Sequence, residues 1–335
     1  MSTARTPTIR DVAARAGVSK SLVSLVLRGD PGVSEARRTA VSRAIDELGY
    51  RTNRVAQALG TRRSNAVGVL LNDLRNPWFV DLLTGLTATL ETVGLSTVLV
   101  DSATTRRVGG SPVDKLLQQQ VDGIVVVGTT EDDEELRRAA TLVPIVLAGT
   151  YEPAGLGSDV VVNDDVDGAT AATEHCIELG HTSVTHLRGP GHVGELREQG
   201  YRGAMSRAGL TPVVVPGGMS EESGYAAARR ALAATDRPTA VVAYNDLAAI
   251  GALSAAHDLD LRVPEDVSIV GYDNTYLATI RHLSLTSVDN GTMAIGLQAA
   301  RWLSERIDGG VRTGRVHRVP ASLVVRRTTS APPRS

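Results

Sequence analysis

Residues 8–24 read TIRDVAARAGVSKSLVS, and this stretch predicts two short helices joined by a glycine turn. Thr8 caps the first helix and Asp11 stands three residues on, which is the spacing of a capping box. Gly17 provides the tight turn, and Ser19 caps the second helix. Such a pair is typical of helix-turn-helix units, whose second helix enters the major groove of DNA. On its own, such a pair favours an ordinary helical hairpin with a polar face, but three further observations reverse this preference and favour DNA binding.

Charge is divided unevenly along the chain. Residues 1–63 hold 12 Arg or Lys against 5 Asp or Glu (net +7), whereas the remaining residues hold 23 against 32 (net −9). A basic segment joined to an acidic body is typical of a polyanion-binding head on a sensor protein. A third helix, capped by Ser34, supplies the core that two helices lack; its apolar positions are Val41, Ala44, Ile45 and Leu48.

Beyond residue 65 the chain alternates short apolar runs with helical stretches. Such strands predict parallel sheets covered on both faces, and nine runs suit two doubly wound subdomains better than one sheet. Polar pairs follow four strand ends, where ligands bind in open α/β sheets. The predicted strands are 66–71, 96–100, 123–127, 144–147, 160–162, 183–187, 212–215, 240–243 and 267–270, and the polar pairs are Asn72-Asp73, Asp164-Asp165, Asn245-Asp246 and Asp273-Asn274.

Over nearly its whole length the chain resembles the LacI/GalR family of bacterial repressors. The resemblance is carried by TIRDVAARAGVSKSLVSLVL, VSEARRTAVSRAIDELGY and NRVAQALGTRRSNAVGVL, and it continues in the same order through NPWF, DGIVV, GH, ND, GYD and LVVRRTT. It implies an α/β protein with a small all-α helix-turn-helix head and a hinge helix, followed by two doubly wound parallel-sheet subdomains of the periplasmic-binding-protein type.

The resemblance also implies the division of the chain. We expect the DNA-binding head over residues 1–52 and the hinge helix with its linker over 53–65. The N-terminal sensor subdomain is expected over 66–163 and about 291–319, with crossings near Val162, Val288 and Pro320. The C-terminal sensor subdomain is expected over 164–290 and about 320–329, and a disordered tail over 330–335.

The resemblance implies how head and hinge contact a palindromic double-stranded operator. Lys20, Ser21 and Leu25 occupy positions that discriminate operators, and Leu25 replaces a common arginine, so it offers only apolar contact to bases. Leu59 occupies the position of a wedge that enters the minor groove; the alternative is a linker helix with Leu59 packed on the body. The expected DNA-contacting residues are Thr8, Ser19, Lys20, Ser21, Ser24, Leu25, Arg28 (at phosphate), Asn53, Ala56 and Leu59.

A second set of positions is expected to hold a small effector, a sugar or related polyol. Trp78 and Phe79 are two of the chain's three Trp and Phe residues, which suits an apolar platform for a sugar ring; core packing of Phe79 is equally compatible. Strand-end Asp and Asn also cap helices, and Asp246 is interpreted as a cap. With the contacts that the resemblance implies, the expected effector residues are Asn76, Trp78, Phe79, Arg197, Asn245, Asp273 and Asn290.

Composition argues against several other classes. The single cysteine, Cys176, excludes an intramolecular disulfide framework and is interpreted as a small buried residue rather than a catalytic thiol. The seven histidines show no metal-ligand spacing, and no P-loop, dinucleotide fingerprint or G-x-S-x-G elbow is present. No apolar run reaches the length of a membrane span, and the N-terminus lacks a signal core. We therefore expect a cytoplasmic protein that is not an enzyme, uses no cofactor or metal and contacts no membrane.

The sequence thus predicts a DNA-binding transcriptional regulator, in first place a homodimeric repressor whose operator affinity is controlled by a carbohydrate-like effector. Activating and corepressor-dependent modes remain open. The leading alternative is a cytoplasmic solute-binding protein of the same two-lobed fold, against which the absent signal segment and the basic head argue. A second alternative is a sugar-modifying enzyme with an appended DNA module, which turnover of a bound sugar would reveal.

Overall fold

Two units make up the chain, Met1–Ser64 and Asn65–Ser335. The computed structural model describes residues 7–27, 30–50, 63–128, 133–151, 156–310 and 313–333. Arg28, Asn53, Ala56 and Leu59 of the expected DNA contacts, and with them the expected hinge helix, lie outside the described residues.

The first unit contains the predicted capped helix pair. The backbone N–H and the hydroxyl of Thr8 both donate to Asp11 Oδ2, each at 2.7 Å. Gly17 ends the first helix in the left-handed region (φ +67°), and the N–H of Leu22 donates to Ser19 Oγ at 3.2 Å. The third helix packs against the other two around Val12, Val23 and Val41. The helices are α1 (Ile9–Ala16), α2 (Lys20–Leu27) and α3 (Glu35–Leu48).

The strands of the second unit, over the residues that are described, form two six-stranded sheets. The first sheet has the order β11-β5-β4-β3-β1-β2 and is parallel throughout. The second has the order β12-β10-β9-β8-β6-β7, and only β12 runs antiparallel to its neighbour. The strands are β1 (Ala66–Leu71), β2 (Ser96–Asp101), β3 (Gly123–Val127), β4 (Ile145–Ala148), β5 (Asp159–Asn163), β6 (Val184–Arg188), β7 (Val213–Pro216), β8 (Ala240–Ala243), β9 (Ser268–Tyr272), β10 (Thr286–Asp289), β11 (Val316–Val319) and β12 (Ser322–Val324).

Each sheet is covered by helices on both faces, as the continuous apolar strands predict. Val69 and Leu71 point to one core of the first sheet and Leu70 to the other. We call the first sheet with α4–α7 and α13 the N-lobe, and the second sheet with α8–α12 the C-lobe. The helices are α4 (Trp78–Thr92), α5 (Ser102–Arg107), α6 (Pro112–Gln118), α7 (Asp133–Ala140), α8 (Asp165–Glu178), α9 (Gly191–Arg207), α10 (Glu221–Leu232), α11 (Asp246–Asp258), α12 (Tyr276–Thr279) and α13 (Thr292–Ile307). The predicted fold class, two doubly wound parallel-sheet lobes after a helical head, is confirmed.

The chain passes between the lobes three times, after β5, after β10 and between β11 and β12. Helix α13 returns to pack against α4. The sequence analysis missed the strands β10, β11 and β12. β10 reads TSVD, three of the four residues of β11 are exposed, and β12 has only three residues. Their position is fixed by backbone pairing with β9, β5 and β10. Among the described residues, no helix is both long and apolar enough to cross a membrane.

The end of the chain corrects one expectation. The tail was expected to be disordered from residue 330, but the N–H of Ser330 donates to Ser268 Oγ at 3.1 Å and its carbonyl lies 2.8 Å from His181 Nε2. A side chain at Gly180 would touch the ring of Pro332. The expectation of disorder is therefore wrong at Ser330, because Ser330 and Pro332 pack on the C-lobe.

Asp159 holds the returning segment of the N-lobe. Its carboxylate is fully buried and accepts hydrogen bonds from Arg306 Nε and Nη2 at 2.9 Å and from Arg315 Nη2 at 2.8 Å. Burial raises the pKa of Asp159, but the donors of Arg306 and Arg315 lower it more, so that it lies at about 2. One carboxylate thus joins β5 to the end of α13 and to the residue before β11.

Asp159→Ala should lower the free energy of unfolding by about 3 kcal/mol or more, because it removes the carboxylate that pairs with the largely buried Arg306 and leaves Arg315 with only the exposed Glu305. Urea denaturation near neutral pH measures the loss. Glu174→Ala is the control, since it removes an exposed ion pair with Arg207 and should cost less than about 1 kcal/mol.

The free energy of unfolding at acidic pH gives a second test of the role of Asp159. Its depressed pKa means that its contribution is present above the unfolded value of 3.8 and is lost as the pH falls through about 2. The stabilities of wild type and variant should therefore converge on acidification. A difference that stays constant over this range would contradict the assignment.

Candidate functional site

Helix α2 presents the predicted DNA-contacting residues on one side. At 100° per residue, Lys20, Ser21, Ser24 and Leu25 share one face, whereas the opposite face packs into the head core through Val23 and Val26. Lys20 and Ser21 are exposed, and Ser24 and Leu25 are partly exposed. Thr8 and Ser19 stand at the N-terminal ends of α1 and α2. One polar face of α2 therefore takes no part in the core of the head.

A cleft of about 550 Å³ lies between the two lobes, at the carboxyl ends of their strands. Asn163 from β5 reaches it from the N-lobe, and Asp273, directly after β9, from the C-lobe. This is where open α/β sheets bind ligands, and the size is that of a small-molecule pocket. Six of the seven predicted effector residues line it together: Asn76, Trp78, Phe79, Arg197, Asn245 and Asp273.

Trp78 and Phe79 form the apolar wall on the N-lobe side. Their rings meet edge to face, with centroids 5.1 Å apart. Both rings therefore pack in the N-lobe core and also line the cleft. Gly149 makes room for the indole: a Cβ atom there would lie 2.3 Å from Trp78 Cη2. Asn76 Oδ1 accepts from the N–H of Trp78 at 3.0 Å and so fixes the start of α4.

Arg197 forms the centre of the C-lobe wall. Its Nε donates to Asp165 Oδ1 at 2.8 Å and its Nη1 to the carbonyl of Tyr244 at 2.5 Å, while Nη2 lies 3.6 Å from Asp273 Oδ1. The guanidinium carbon stands 3.6 Å from the ring centroid of Tyr272 and 4.7 Å from that of Tyr244. Burial lowers the pKa of Arg197, but the two carboxylates and the tyrosines raise it more, above its usual value. Arg197 therefore stays protonated, and its positive charge is balanced by groups of the protein itself.

Asp273 faces this cation from the loop after β9. Burial raises the pKa of its carboxyl well above the usual range, and Asp246 and Asp165 act in the same direction against the opposing effect of Arg197. Asn290 was predicted as a direct effector contact, and the structure corrects this. Asn290 is fully buried and is absent from the described cleft lining; its Nδ2 donates to Asp273 Oδ1 at 3.0 Å. It supports Asp273 from behind because the chain leaves the C-lobe at this residue.

The helix cap at the end of β8 differs from the expected one. Asn245, not Asp246, is the N-cap of α11: its Oδ1 accepts from the N–H of Ala248 at 2.8 Å, and its Nδ2 donates to the carbonyl of Met219 at 3.0 Å. The cap expected at Asp246 is therefore wrong by one residue. The Asp246 carboxylate instead accepts hydrogen bonds from Thr275, on a different element.

The sequence analysis missed several residues at the mouth of the cleft. Arg75 lines it and forms a bidentate ion pair with Asp73, with N–O distances of 2.6–3.1 Å. Glu221 and Glu222, in the first turn of α10, line the C-lobe side. The signal for these two was the Ser220-Glu221-Glu222-Ser223 capping sequence, which was not connected with the site because β7 before it is short and partly exposed. Over the described residues, no group of three or more His, Cys, Asp or Glu side chains could hold a metal ion.

Comparison with known proteins agrees with this geometry. Residues 8–53 match the bacterial regulatory proteins of the lacI family, and residues 173–329 match the periplasmic binding protein-like domain. The HTH-type transcriptional repressor PurR of Vibrio vulnificus (strain CMCP6) is 31% identical over 96% of this chain and 98% of its own length. The ribose operon repressor of Escherichia coli (strain K12) is 32% identical over 90% of this chain and 93% of its own.

The chain belongs to the lacI family of bacterial regulatory proteins. Solved structures of the family superpose on it over nearly their full length. The lac repressor dimer bound to operator and the anti-inducer ONPF gives a TM-score of 0.83 at 29% identity, covering 98% of this chain and 100% of that one. The complex of the transcriptional regulator CelR with cellobiose gives 0.70 at 32% identity, covering 96% and 99%.

Gly149→Ala should displace Trp78, since the new methyl group would overlap the indole ring. In a Trp302→Phe background, where Trp78 is the only tryptophan, we expect its emission to shift to the red. Gly157→Ala is the matched control, because Gly157 has nearly the same φ (+62° against +66°) with nothing within 4 Å of its Cβ position. The Gly149 variant should lose about 1–3 kcal/mol more stability than this control. Equal losses and an unshifted spectrum would show that the platform is not packed as described.

Proposed function

We propose that this protein is a transcriptional regulator, in first place a repressor, that binds operator DNA through its helical head and a small neutral polyhydroxylated effector in the interlobe cleft. The observation that carries the proposal is the cleft itself, which combines an apolar ring platform from one lobe with matched polar groups from the other. It stands in a chain whose head belongs to a family of DNA-binding regulators.

Operator binding is supported by the head. Lys20, Ser21, Ser24 and Leu25 lie on the face of α2 that its own core leaves free, and residues 1–63 carry a net charge of +7. Basic heads gain affinity by releasing counterions from phosphates, and a recognition helix adds base contacts. The lac repressor neighbour is a dimer on its operator, and we infer the same symmetric dimer on a palindromic site here. The wedge at Leu59 remains part of this proposal.

The charges of the cleft favour a neutral effector. Four acids line the cleft among the described residues, Asp73, Glu221, Glu222 and Asp273, and burial favours the neutral form of Asp273. Both arginines, Arg75 and Arg197, are already paired with carboxylates. A phosphorylated ligand would meet a surplus of negative charge with no unmatched cation, whereas hydroxyl groups can bond to amides and carboxylates alike. The relatives include a ribose operon repressor and a complex with cellobiose, which are both compatible with such a cleft.

Regulation rather than catalysis is the activity that we propose. The relatives named above are repressors, and the polar groups of the cleft are tied to one another in a way that suits binding. Acting on DNA, the protein would work in the cytoplasm. The solute-binding alternative does not explain the polar face of α2. The enzyme alternative differs in that a sugar-modifying enzyme would convert its bound ligand.

The test combines operator selection with ligand titration on the full chain. Binding-site selection should yield a palindromic sequence, and sedimentation of the complex should show two chains on one site. Calorimetry with ribose, cellobiose and their phosphorylated analogues should show binding of a neutral sugar only, and that sugar should change operator affinity. Failure to select any sequence would overturn the regulator; tighter binding of the phosphorylated forms would overturn the neutral effector; turnover would reveal an enzyme.

Lys20→Ala should weaken operator binding and reduce the slope of log affinity against log salt by about one, because one phosphate or base contact is lost. Fluorescence anisotropy over a salt series measures both. Arg43→Ala removes an exposed head cation on α3 that is paired with Glu47, and serves as the control with little effect. If the two variants behave alike, α2 has no special role in DNA contact.

Arg197→Lys should lower effector affinity about tenfold or more, because an ammonium group cannot serve Asp165, the Tyr244 carbonyl and Asp273 together. Arg202→Lys, an exposed position on the same helix, is the control. Operator affinity without effector should be unchanged in both, which anisotropy would show. Undiminished sugar binding by the Arg197 variant would remove this residue from the effector site.

A further inference from the structure

The turn that follows β9 has an unfavourable backbone. Asp273 and Asn274 both have positive φ, +100° and +47°, although neither is glycine. Residues of this kind persist only where the surroundings fix them, and they concentrate at functional sites. Here the first of the two residues carries the carboxylate that faces Arg197 in the cleft.

Asp246 is the group that fixes this turn. Its Oδ2 accepts hydrogen bonds from the N–H and the hydroxyl of Thr275, at 2.7 and 2.9 Å, and its Oδ1 accepts from Ser287 Oγ at 2.5 Å. Ser287 Oγ in turn accepts from the N–H of Asn274 at 3.0 Å. The carboxylate therefore holds Thr275 directly and Asn274 through one hydroxyl, which are the two residues that follow Asp273.

The neighbouring residues leave a closely fitting space for the Asp246 carboxylate. Asp246 is 1% exposed, and a Cβ atom on Gly271 in β9 would lie 2.4 Å from its Oδ1. From the other side, Arg326 Nη2 donates to Asn274 Oδ1 at 2.6 Å. Asp246 also follows Asn245, which lines the cleft and caps α11. One buried carboxylate thus links the start of α11 to the turn that carries Asp273.

We propose that Asp246 is a positioning residue, which sets the direction of the Asp273 carboxylate in the cleft by holding the strained turn 273–275. It is not a helix cap and it does not touch the ligand. Its importance for the effector rests on the proposed function, whereas the order of the turn can be measured without any ligand.

The protonation state of Asp246 should control the turn. Burial raises the pKa of Asp246 to about 6, although the donors of Ser287 and Thr275 lower it. Arg326 favours the carboxylate form of Asp246, and Asp246 in turn raises the pKa of the neighbouring Asp273. The ionised form accepts all three hydrogen bonds, whereas a protonated carboxyl must give up one acceptor position to its own O–H. The turn should therefore loosen as the pH falls through about 6.

Hydrogen exchange of the full chain, followed by mass spectrometry on the peptide that covers residues 272–276, tests this. Asp246→Ala should raise exchange in this peptide about tenfold or more near pH 7, because a hydrogen bond to a charged group is lost at Thr275. Asp246→Asn imitates the protonated carboxyl and has no charge to lose, so its protection should be independent of pH and close to that of the wild type below about pH 6. Asp159→Asn, a buried aspartate in the N-lobe, is the control and should leave the peptide unchanged.

The pH profile separates positioning from general stability. After correction for the intrinsic exchange rate, the wild-type peptide should lose protection between about pH 7 and about pH 5, and the Asn variant should not. Three results would overturn the proposal: no pH dependence in the wild type, the same dependence in the Asn variant, or an Ala variant that exchanges faster over the whole C-lobe alike. The Asn variant decides the question if the Ala variant does not fold.

The link to the ligand is tested with the same variants and cellobiose or ribose as the probe. The Ala variant should lose affinity about tenfold or more, and the Asn variant, which keeps one acceptor oxygen, should lose less. If neither sugar binds the wild type, the proposed effector fails while the exchange result still decides the role of Asp246 in the turn. If the sugar binds the Ala variant as tightly as the wild type, the turn does not position an effector contact.

Discussion

The guanidinium of Arg197 carries a full charge where water is almost excluded, and the polar part of the cleft is arranged to neutralise it. A buried cation costs several kcal/mol unless partners compensate for its lost hydration. Asp165, Asp273 and two tyrosine rings provide that compensation, so each is constrained in place by the same charge. The strained turn at Asp273 is one consequence: its backbone is tolerated because the carboxylate must face Arg197, and Asp246 supplies the hydrogen bonds that hold it there.

The fold brings these groups together because it uses one strand order twice. In both sheets the chain doubles back beside its first strand, which leaves a crevice at the strand ends, and the three crossings make the two crevices face each other. The lobes then contribute different chemistry. The N-lobe supplies the rings of Trp78 and Phe79, which are anchored in its core, together with Asn163 and the Asp73–Arg75 pair, and the C-lobe supplies Arg197 and Asp273. The aromatic platform thus comes from one side, and the buried, matched cation from the other.

What the sequence could predict follows from how each feature is encoded. Nine parallel strands carry continuous apolar runs and could therefore be located. β10 and β11 carry no such run, and β12 is a three-residue strand whose antiparallel pairing with β10 cannot be read from the sequence. Strand-end polar residues located the cleft, but the individual roles were not readable. Asn245 caps α11, although Asp246 was expected to do so. The sequence does not show at which of these two neighbouring residues the helix begins. Asn290 supports Asp273 rather than the cleft, since burial behind a loop is a tertiary property.

The two-sided cleft also bears on how binding could regulate. A ligand shifts a conformational equilibrium only as far as its affinity differs between the two states. A molecule that touched only the Trp78 and Phe79 platform would bind equally well at any angle between the lobes, and so would one held by Arg197 and Asp273 alone. A ligand that reaches both walls has an affinity that depends on their separation, because each contact is lost when the lobes part. The placement of rings on one lobe and of the matched cation on the other is therefore what makes this cleft sensitive to the lobe arrangement, whichever state the ligand stabilises.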